Sequence, residues 1–200
     1  MPEAGGTPDP EPWIGTPAAV AAAAADVLGP ERFAAWCADV LTAETSIDDL
    51  VAQDDPDPRW LAGRSWTTWG PPQTWTERGI DYWPRVWAAR SLLHQWHPVA
   101  EPAIVIGLAD DHWRVREMCA KVAARHELGG CAEACGRLAL EDDNSRVRIA
   151  ALRAIGRVGE YEQAAAIEAA AQSADPAIID AATRAREQLA DRLDRPLHPD

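Results

Sequence analysis

A repeat of about 30 residues runs through the second half of the chain and constrains its fold more than any other feature. Val86, Val115, Val147 and Ile178 occupy equivalent positions, at intervals of 29, 32 and 31 residues. After each of the last three, apolar residues follow at three, four and seven positions further on. This spacing traces one face of a helix with a period of 3.6 residues. The pattern therefore predicts one amphipathic helix in each unit.

A short polar turn and another helical run precede each of the last three helices. The turns lie at 110–113, 141–145 and 173–176, and the earlier runs at 102–109, 131–140 and 162–172. One such hairpin cannot bury its apolar face alone, whereas stacked hairpins share a continuous core. We therefore predict an all-α fold, an α-solenoid of about four helical hairpins over residues 81–192. The first unit fits less well, because Arg90 and His94 fall at expected apolar positions.

The residues before the repeats are organised differently. Residues 1–17 contain five prolines and three glycines, which predicts a disordered arm. Residues 18–80 are expected to form helices at 18–28 and 31–41, a short helix at 47–51 after Ser46, and a tryptophan-rich irregular cap. In the second of these helices, Phe33, Trp36, Cys37 and Val40 share one face. Residues 193–200 form a tail.

The tryptophan-rich stretch at 59–80 shows neither a helical nor a strand period. Trp60, Trp66, Trp69 and Trp75 stand among glycines, prolines and threonines. Four such side chains would bury large areas if they faced inward, as an aromatic cap over the first repeat. The alternative is a ligand or partner surface, since tryptophan anchors dominate interface hot spots. The sequence leaves both interpretations open.

Charge argues against several classes of partner. The chain has 19 basic and 32 acidic residues, for a net charge of −13. Residues 1–79 hold 4 basic and 13 acidic residues, whereas residues 80–160 hold 11 of each. The overall sign disfavours non-specific binding to nucleic acid or to a membrane surface. No apolar run approaches the roughly 20 residues of a membrane helix, and the first residues lack signal-peptide features. We expect a cytoplasmic protein.

Residues that could support catalysis or metal binding are sparse. The four cysteines are expected to be free thiols in a cytosolic chain. Cys131 and Cys135 lie one helical turn apart near His126, but buried small residues are the better interpretation of this pair than a metal site. There is no nucleophile elbow, phosphate-binding glycine loop or suitably spaced metal pair. We therefore expect no cofactor and no metal, and a non-enzymatic role.

Two strings at the turns carry a family resemblance. Asp110-Asp111-x-x-x-Val115-Arg116 and Asp142-Asp143-x-x-x-Val147-Arg148 resemble HEAT repeats, specifically the short bacterial, lyase-type kind. In that family, aspartate–arginine pairs form a ladder between successive repeats, and the second helices line the concave surface. The resemblance therefore implies a structural ladder of Asp111, Arg116, Asp143 and Arg148. In it, Asp111 or Asp110 would face Arg116 or Arg148, and Asp143 or Asp142 would face Arg148. The fourth repeat departs from the motif with Ile179, and the first with Trp87.

Cations recur on one narrow face of the second helices. Counted from the valine or isoleucine that marks each repeat, positions −1, +6 and +10 fall close together at about 100° per residue. The two central repeats place cations at all six such positions, which are Arg114, Lys121, Arg125, Arg146, Arg153 and Arg157. Arg85, Trp96 and Arg184 continue this stripe in the outer repeats. The stripe is a solvated face, a groove for anions or acidic peptides, or a nucleic-acid surface.

These observations favour an adaptor over an enzyme. We predict a HEAT-repeat scaffold that binds another protein, or an acidic ligand, through the basic stripe, the tryptophan-rich segment, or both. The expected partner-binding residues are the stripe together with Trp113, Trp66, Trp69 and Trp75. One alternative is a nucleic-acid enzyme similar to the HEAT-like DNA glycosylases, with Asp111, Trp113, Arg114 and Arg148 as matching residue types. A HEAT-like lyase or maturation factor is the other alternative.

Overall fold

A computed structural model describes residues 14–42, 56–70, 74–194 and 196–197. The described residues form helices and connecting turns, with no strand among them, so the predicted all-α fold class is confirmed. They divide into two compact units, with the boundary between Ala100 and Glu101. The first 13 residues of the arm expected at 1–17, the helix expected at 47–51 and half of the tail expected at 193–200 lie outside the described residues.

The described residues of the first unit form three α-helices and two 3₁₀ helices. The Thr16 hydroxyl caps the first helix by accepting a hydrogen bond from the amide of Ala19 at 3.3 Å, and Gly29, with φ +85°, ends it. Only glycine adopts such a φ readily, and proline then starts the next helix. The elements are α1 (Pro17–Leu28), α2 (Pro30–Thr42), a 3₁₀ helix interrupted at Gly63 (Pro58–Thr68), α3 (Trp83–Leu92) and a final 3₁₀ turn (Pro98–Ala100).

Tryptophan rings build much of the core of this first unit. The ring of Trp69 lies 5.1 Å from that of Trp87, 5.2 Å from Trp83 and 6.1 Å from Trp75, measured between centroids. Trp75 and Trp87 are fully buried, and the Trp75 indole N–H donates to the Trp69 carbonyl at 2.9 Å. The tryptophan-rich stretch therefore packs onto α3 as part of the core.

The same first unit also contains the helix that was expected to open the solenoid. Helix α3 packs against α2 rather than following the hairpin pattern of the later repeats. Arg90, which occupies an expected apolar position, is half-buried and donates from Nη2 to the carbonyl of Leu61 at 2.9 Å. A guanidinium needs a polar acceptor when it leaves water, and the irregular segment supplies one. This contact accommodates a guanidinium at a position where the later repeats have an apolar residue.

Three helical hairpins make up the second unit. Their marker residues Val115, Val147 and Ile178 are all buried, as the period predicts. The second helices pack in sequence, the middle one lying against both of the others. The hairpins are α4 (Glu101–Gly107) with α5 (Trp113–His126), α6 (Ala132–Glu141) with α7 (Ser145–Val158), and α8 (Ala164–Ala171) with α9 (Pro176–Leu193).

Each turn in the second unit uses the same two side-chain hydrogen bonds. One side chain caps the second helix by accepting from the amide two residues later, and another accepts from the amide of the capping residue. The caps are His112, Asn144 and Asp175, at 3.3, 3.0 and 2.9 Å. The residues that bond the caps are Asp110, Asp142 and Ser173, at 2.7, 2.9 and 3.2 Å. This shared geometry sets the register of the three second helices.

The expected ladder exists in part, with a different carboxylate. Arg116 donates from Nε to Asp142 of the next repeat at 2.6 Å, and its Nη1 donates to the carbonyls of Asp110 and Asp111. The pairings expected for Asp111 and Asp143 are wrong, because both side chains are exposed and no ion pair within the described residues includes them. The first aspartate of each pair is turned inward by its bond to the capping residue, which leaves the second facing solvent.

Arg148, the other predicted member of the ladder, has no carboxylate to meet. In the following repeat, Ser173 takes the position of Asp142. Its hydroxyl accepts a hydrogen bond from the amide of Asp175. Arg148 instead donates from Nε to the carbonyl of Ala139 at 3.0 Å. The ladder therefore consists of one ion pair, and a carbonyl takes the place of a second.

Candidate functional site

A groove of about 350 Å³ crosses the three second helices of the second unit. Five cationic side chains line it, and four alanines and a glutamine complete its wall. No carboxylate is among its lining residues. We call this feature the basic groove; its cations are Lys121, Arg125, Arg153, Arg157 and Arg184, and its other residues are Ala124, Ala150, Ala181, Ala185 and Gln188.

The repeat itself places these cations together. They occupy positions six and ten residues after each marker residue, so α5 and α7 each contribute two cations one turn apart, and α9 contributes one cation and Gln188. Because the turns hold the three helices in register, these pairs lie side by side across α5, α7 and α9. Five of the cations that the sequence assigns to the stripe thus share one concave site.

Local carboxylates neutralise some of these cations. Lys121 pairs with Glu117 at 2.8 Å, Arg157 with Glu127 at 3.5 Å, and Arg184 with Asp180 at 3.8 Å. The pairs of Arg157 and Arg184 are exposed, so they contribute little and rearrange at low cost, whereas the Glu117 carboxylate that pairs with Lys121 is buried. Arg125 and Arg153 have no carboxylate within ion-pair distance among the residues that the structure describes. These two guanidiniums are the ones most available to a ligand.

A second group of stripe residues gathers around Trp113. The guanidinium carbon of Arg114 lies 4.4 Å from the ring centroid, and that of Arg146 lies 5.4 Å away. Arg146 also pairs with Glu117 at 3.2 Å, so one buried carboxylate joins Arg146 to Lys121. The stripe residues at position −1 of the two central repeats therefore share one side of the unit, as their spacing predicts. Their guanidiniums are already engaged by the ring and by Glu117.

The other expected partner-binding residues are not among the residues that line the basic groove. Arg85, Trp96 and Trp69 belong to the first unit, and the side chain of Trp66 lies outside the described part of the structure. The assignment of Trp75 to a partner surface is wrong, because its side chain is fully buried and its indole N–H is bonded internally. Its burial agrees instead with the aromatic-cap interpretation of this stretch.

The four residues whose types matched a DNA glycosylase do not form one site. Trp113 and Arg114 are in contact, but the Arg148 side chain is directed to the carbonyl of Ala139 in its own hairpin. Asp111 is exposed in the turn, where its carbonyl accepts from Arg116. Within the described residues, no group of three or more histidine, cysteine or carboxylate side chains is arranged to hold a metal ion.

All four thiols are free and buried. Burial raises the pKa of each thiol, to about 11 for Cys131, and the pKa of Cys119 is raised further by Asp110 and by the neighbouring Cys131 and Cys135. The thiolate is the reactive form, and a higher pKa lowers its share at neutral pH.

We therefore expect negligible labelling of the native protein by iodoacetamide at neutral pH, measured as a mass shift. In denaturant, where the thiol pKa returns to its ordinary range, all four cysteines should react. Rapid stoichiometric labelling of the folded chain would contradict the burial of these side chains.

Sequence reasoning missed three features of the site. Glu117 is only 6% exposed and joins two stripe cations, although its position in a helix of mixed charge gives no hint of burial. The alanine floor and Gln188 were also missed as site residues. Their positions in the repeat carry the signal, since Gln188 is the equivalent of Arg125 and Arg157.

Comparison with known proteins agrees with this architecture. Residues 101–187 match the family model described as HEAT repeats, which covers all three hairpins of the second unit. No curated protein and no solved structure matches the chain. Within the described residues, every helix is too short or too polar to cross a membrane. HEAT repeats generally serve as scaffolds for protein interaction. The match supports a HEAT-repeat family for residues 101–187 of this chain.

Proposed function

We propose that this protein is a non-enzymatic interaction module that binds an acidic segment of another protein in the basic groove. The observation that carries the proposal is the groove itself, in which five cations converge and no carboxylate forms part of the wall. Guanidinium groups form strong, charge-assisted hydrogen bonds with carboxylates and can bind them in a bidentate manner. An acidic peptide is therefore a ligand that this chemistry suits.

The charge distribution supports a local role for these cations. Residues 101–200 contain 13 basic and 18 acidic residues, so the groove is a positive site on a negative unit. A duplex would meet this negative field over its whole contact area, whereas a short peptide meets only the groove. The proposal therefore favours a protein partner over nucleic acid.

Charge reversal at Arg153 tests the proposal. We expect the full chain to bind a fluorescein-labelled polyglutamate peptide, measured by fluorescence anisotropy at about 50 mM salt, and to lose affinity at higher salt. Arg153→Glu should weaken binding at least about tenfold, because it removes an unpaired cation and adds a repulsive charge in the groove.

Arg137→Glu is the matched control for this experiment. It makes the same change of charge at an exposed arginine of α6, which lies outside the groove. We expect it to change the affinity for polyglutamate by less than about threefold, through the overall field alone. Equal losses in the two variants, or no binding by the unmodified chain, would contradict the proposal. Tighter binding of duplex DNA than of polyglutamate would favour the nucleic-acid interpretation.

A further inference from the structure

The arrangement of cations in the basic groove restricts the shape of the segment that fits it. We infer that the ligand is an extended, polyproline-type segment with an acidic residue at every third position, lying across α5, α7 and α9. This inference rests on the proposed function, since it names the conformation and the register of the acidic segment. It follows from the order of the lining residues.

By their repeat positions, six of the lining side chains fall into two rows of equivalent residues. The first row is Lys121, Arg153 and Arg184, and the second is Arg125, Arg157 and Gln188. Members of a row stand on adjacent packed helices, whose axes lie about 8–10 Å apart. The two rows are one helical turn apart, which corresponds to about 6 Å along each axis. The alanine methyl groups lie in the same groove, beside these rows.

The spacing within a row matches one backbone conformation well. A polyproline II segment rises about 3.1 Å per residue with three residues per turn, so every third side chain returns to the same face after about 9.3 Å. In a β-strand, side chains on one face recur at about 6.6–6.8 Å, which is shorter than the spacing of about 8–10 Å between adjacent helices. Successive side chains of a strand would therefore not stay aligned with successive members of a row. An α-helix is about 10–12 Å across with its side chains, too wide to lie between rows about 6 Å apart.

The wall of the groove supports the same conformation. Alanine methyl groups offer no hydrogen-bond partners to a peptide backbone, and a β-strand ligand would leave its amides unpaired there. A polyproline II segment has no internal hydrogen bonds and keeps its backbone solvated. Prolines between the acidic residues would also reduce the entropy lost on binding. Acidic residues separated by prolines therefore suit both the charged rows and the alanine wall.

The two rows differ in charge, and this difference indicates which row contacts the acidic residues of the segment. The first row has a cation on all three helices, whereas the second ends at the uncharged Gln188. The acidic residues of the segment are therefore matched to the first row. Arg153 occupies the middle of that row and has no carboxylate partner among the described residues. We assign Arg153 as the residue that determines the register of the segment, by pairing with its central acidic residue.

Two peptides of identical composition test this assignment on the full chain. One repeats Glu-Pro-Pro over about twelve residues, and its isomer has all glutamates at one end followed by the prolines. Anisotropy with labelled peptides should show that the repeat binds at least about fivefold tighter than the isomer. Arg153→Glu should weaken the repeat and abolish the preference, whereas Arg137→Glu should retain it. Circular dichroism checks that both variants remain helical.

The outcomes separate this inference from the proposed function. If both isomers bind equally and Arg153→Glu weakens both, the register is wrong while the acidic-segment proposal stands. A preference that survives Arg153→Glu also overturns the role assigned to Arg153. If neither isomer nor polyglutamate binds, both proposals fail. A preference that depends on Arg153 and not on Arg137 supports the inference.

Discussion

Replacing Arg116 by methionine should lower the free energy of unfolding by about 3 kcal/mol. The Asp142 carboxylate that pairs with this arginine at 2.6 Å is only 2% exposed, and the arginine side chain is 18% exposed. Methionine keeps an unbranched apolar stem but leaves a buried negative charge without its partner. The carbonyls of Asp110 and Asp111 also lose a donor. Urea unfolding followed by circular dichroism measures the loss.

A second ion pair in the chain has the same N–O distance but is exposed, so it serves as a control. Arg137 and Glu133 also approach to 2.6 Å, but their side chains are 60% and 85% exposed. Arg137→Met should therefore cost less than about 0.5 kcal/mol, as is usual for exposed pairs. A similar loss in both variants would show that burial does not determine the contribution of the Arg116 pair.

A double variant distinguishes an unpaired charge from lost packing. Asp142→Asn in the Arg116→Met background removes the charge and keeps an oxygen that can accept from the amide of Asn144. We expect it to recover more than about 1 kcal/mol of the stability lost in the single variant. Further destabilisation would instead mean that Arg116 acts mainly through its contacts with the two carbonyls.

The hairpins could be predicted because their signal is periodic. The observed second helices begin at the last residue of each predicted turn, and the marker residues Val115, Val147 and Ile178 are buried as the 3.6-residue period requires. The cationic stripe was predictable for the same reason, since a residue at a fixed repeat position faces the same way in every hairpin. Lys121, Arg153 and Arg184 therefore share one groove.

Features that depend on a single contact could not be predicted. Whether Asp142 or Asp143 faces inward is decided by a hydrogen bond to the capping Asn144, and both candidates have the same side chain. The stretch around Trp75 has no period, so nothing in the sequence determines which rings meet α3. The partner of Arg148 likewise follows from the single change from aspartate to Ser173 in the next repeat.

Truncation of Trp87 to alanine should have an effect at least as large as the loss of Arg116. Trp87 is 2% exposed, and its ring lies 5.1 Å from that of Trp69 and 5.8 Å from that of Trp75. Replacing it by alanine removes a large buried apolar surface. It also leaves a cavity that the neighbouring tryptophan rings cannot easily fill. Such substitutions cost about 3–5 kcal/mol. The loss should appear as a lower urea midpoint and a weaker near-ultraviolet signal from the remaining tryptophans.

Two further variants show whether the cost arises from the cluster. Trp87→Phe retains an aromatic ring and part of the volume, so we expect roughly half the loss or less. Trp113→Ala removes a tryptophan that is only partly buried in the second unit, where its ring contacts Arg114 and Arg146. It should cost about 1–2 kcal/mol, since cation–π contacts and partial burial contribute modestly. An equal cost for Trp87→Ala and Trp113→Ala would refute the assignment of the tryptophan cluster as the core of the first unit.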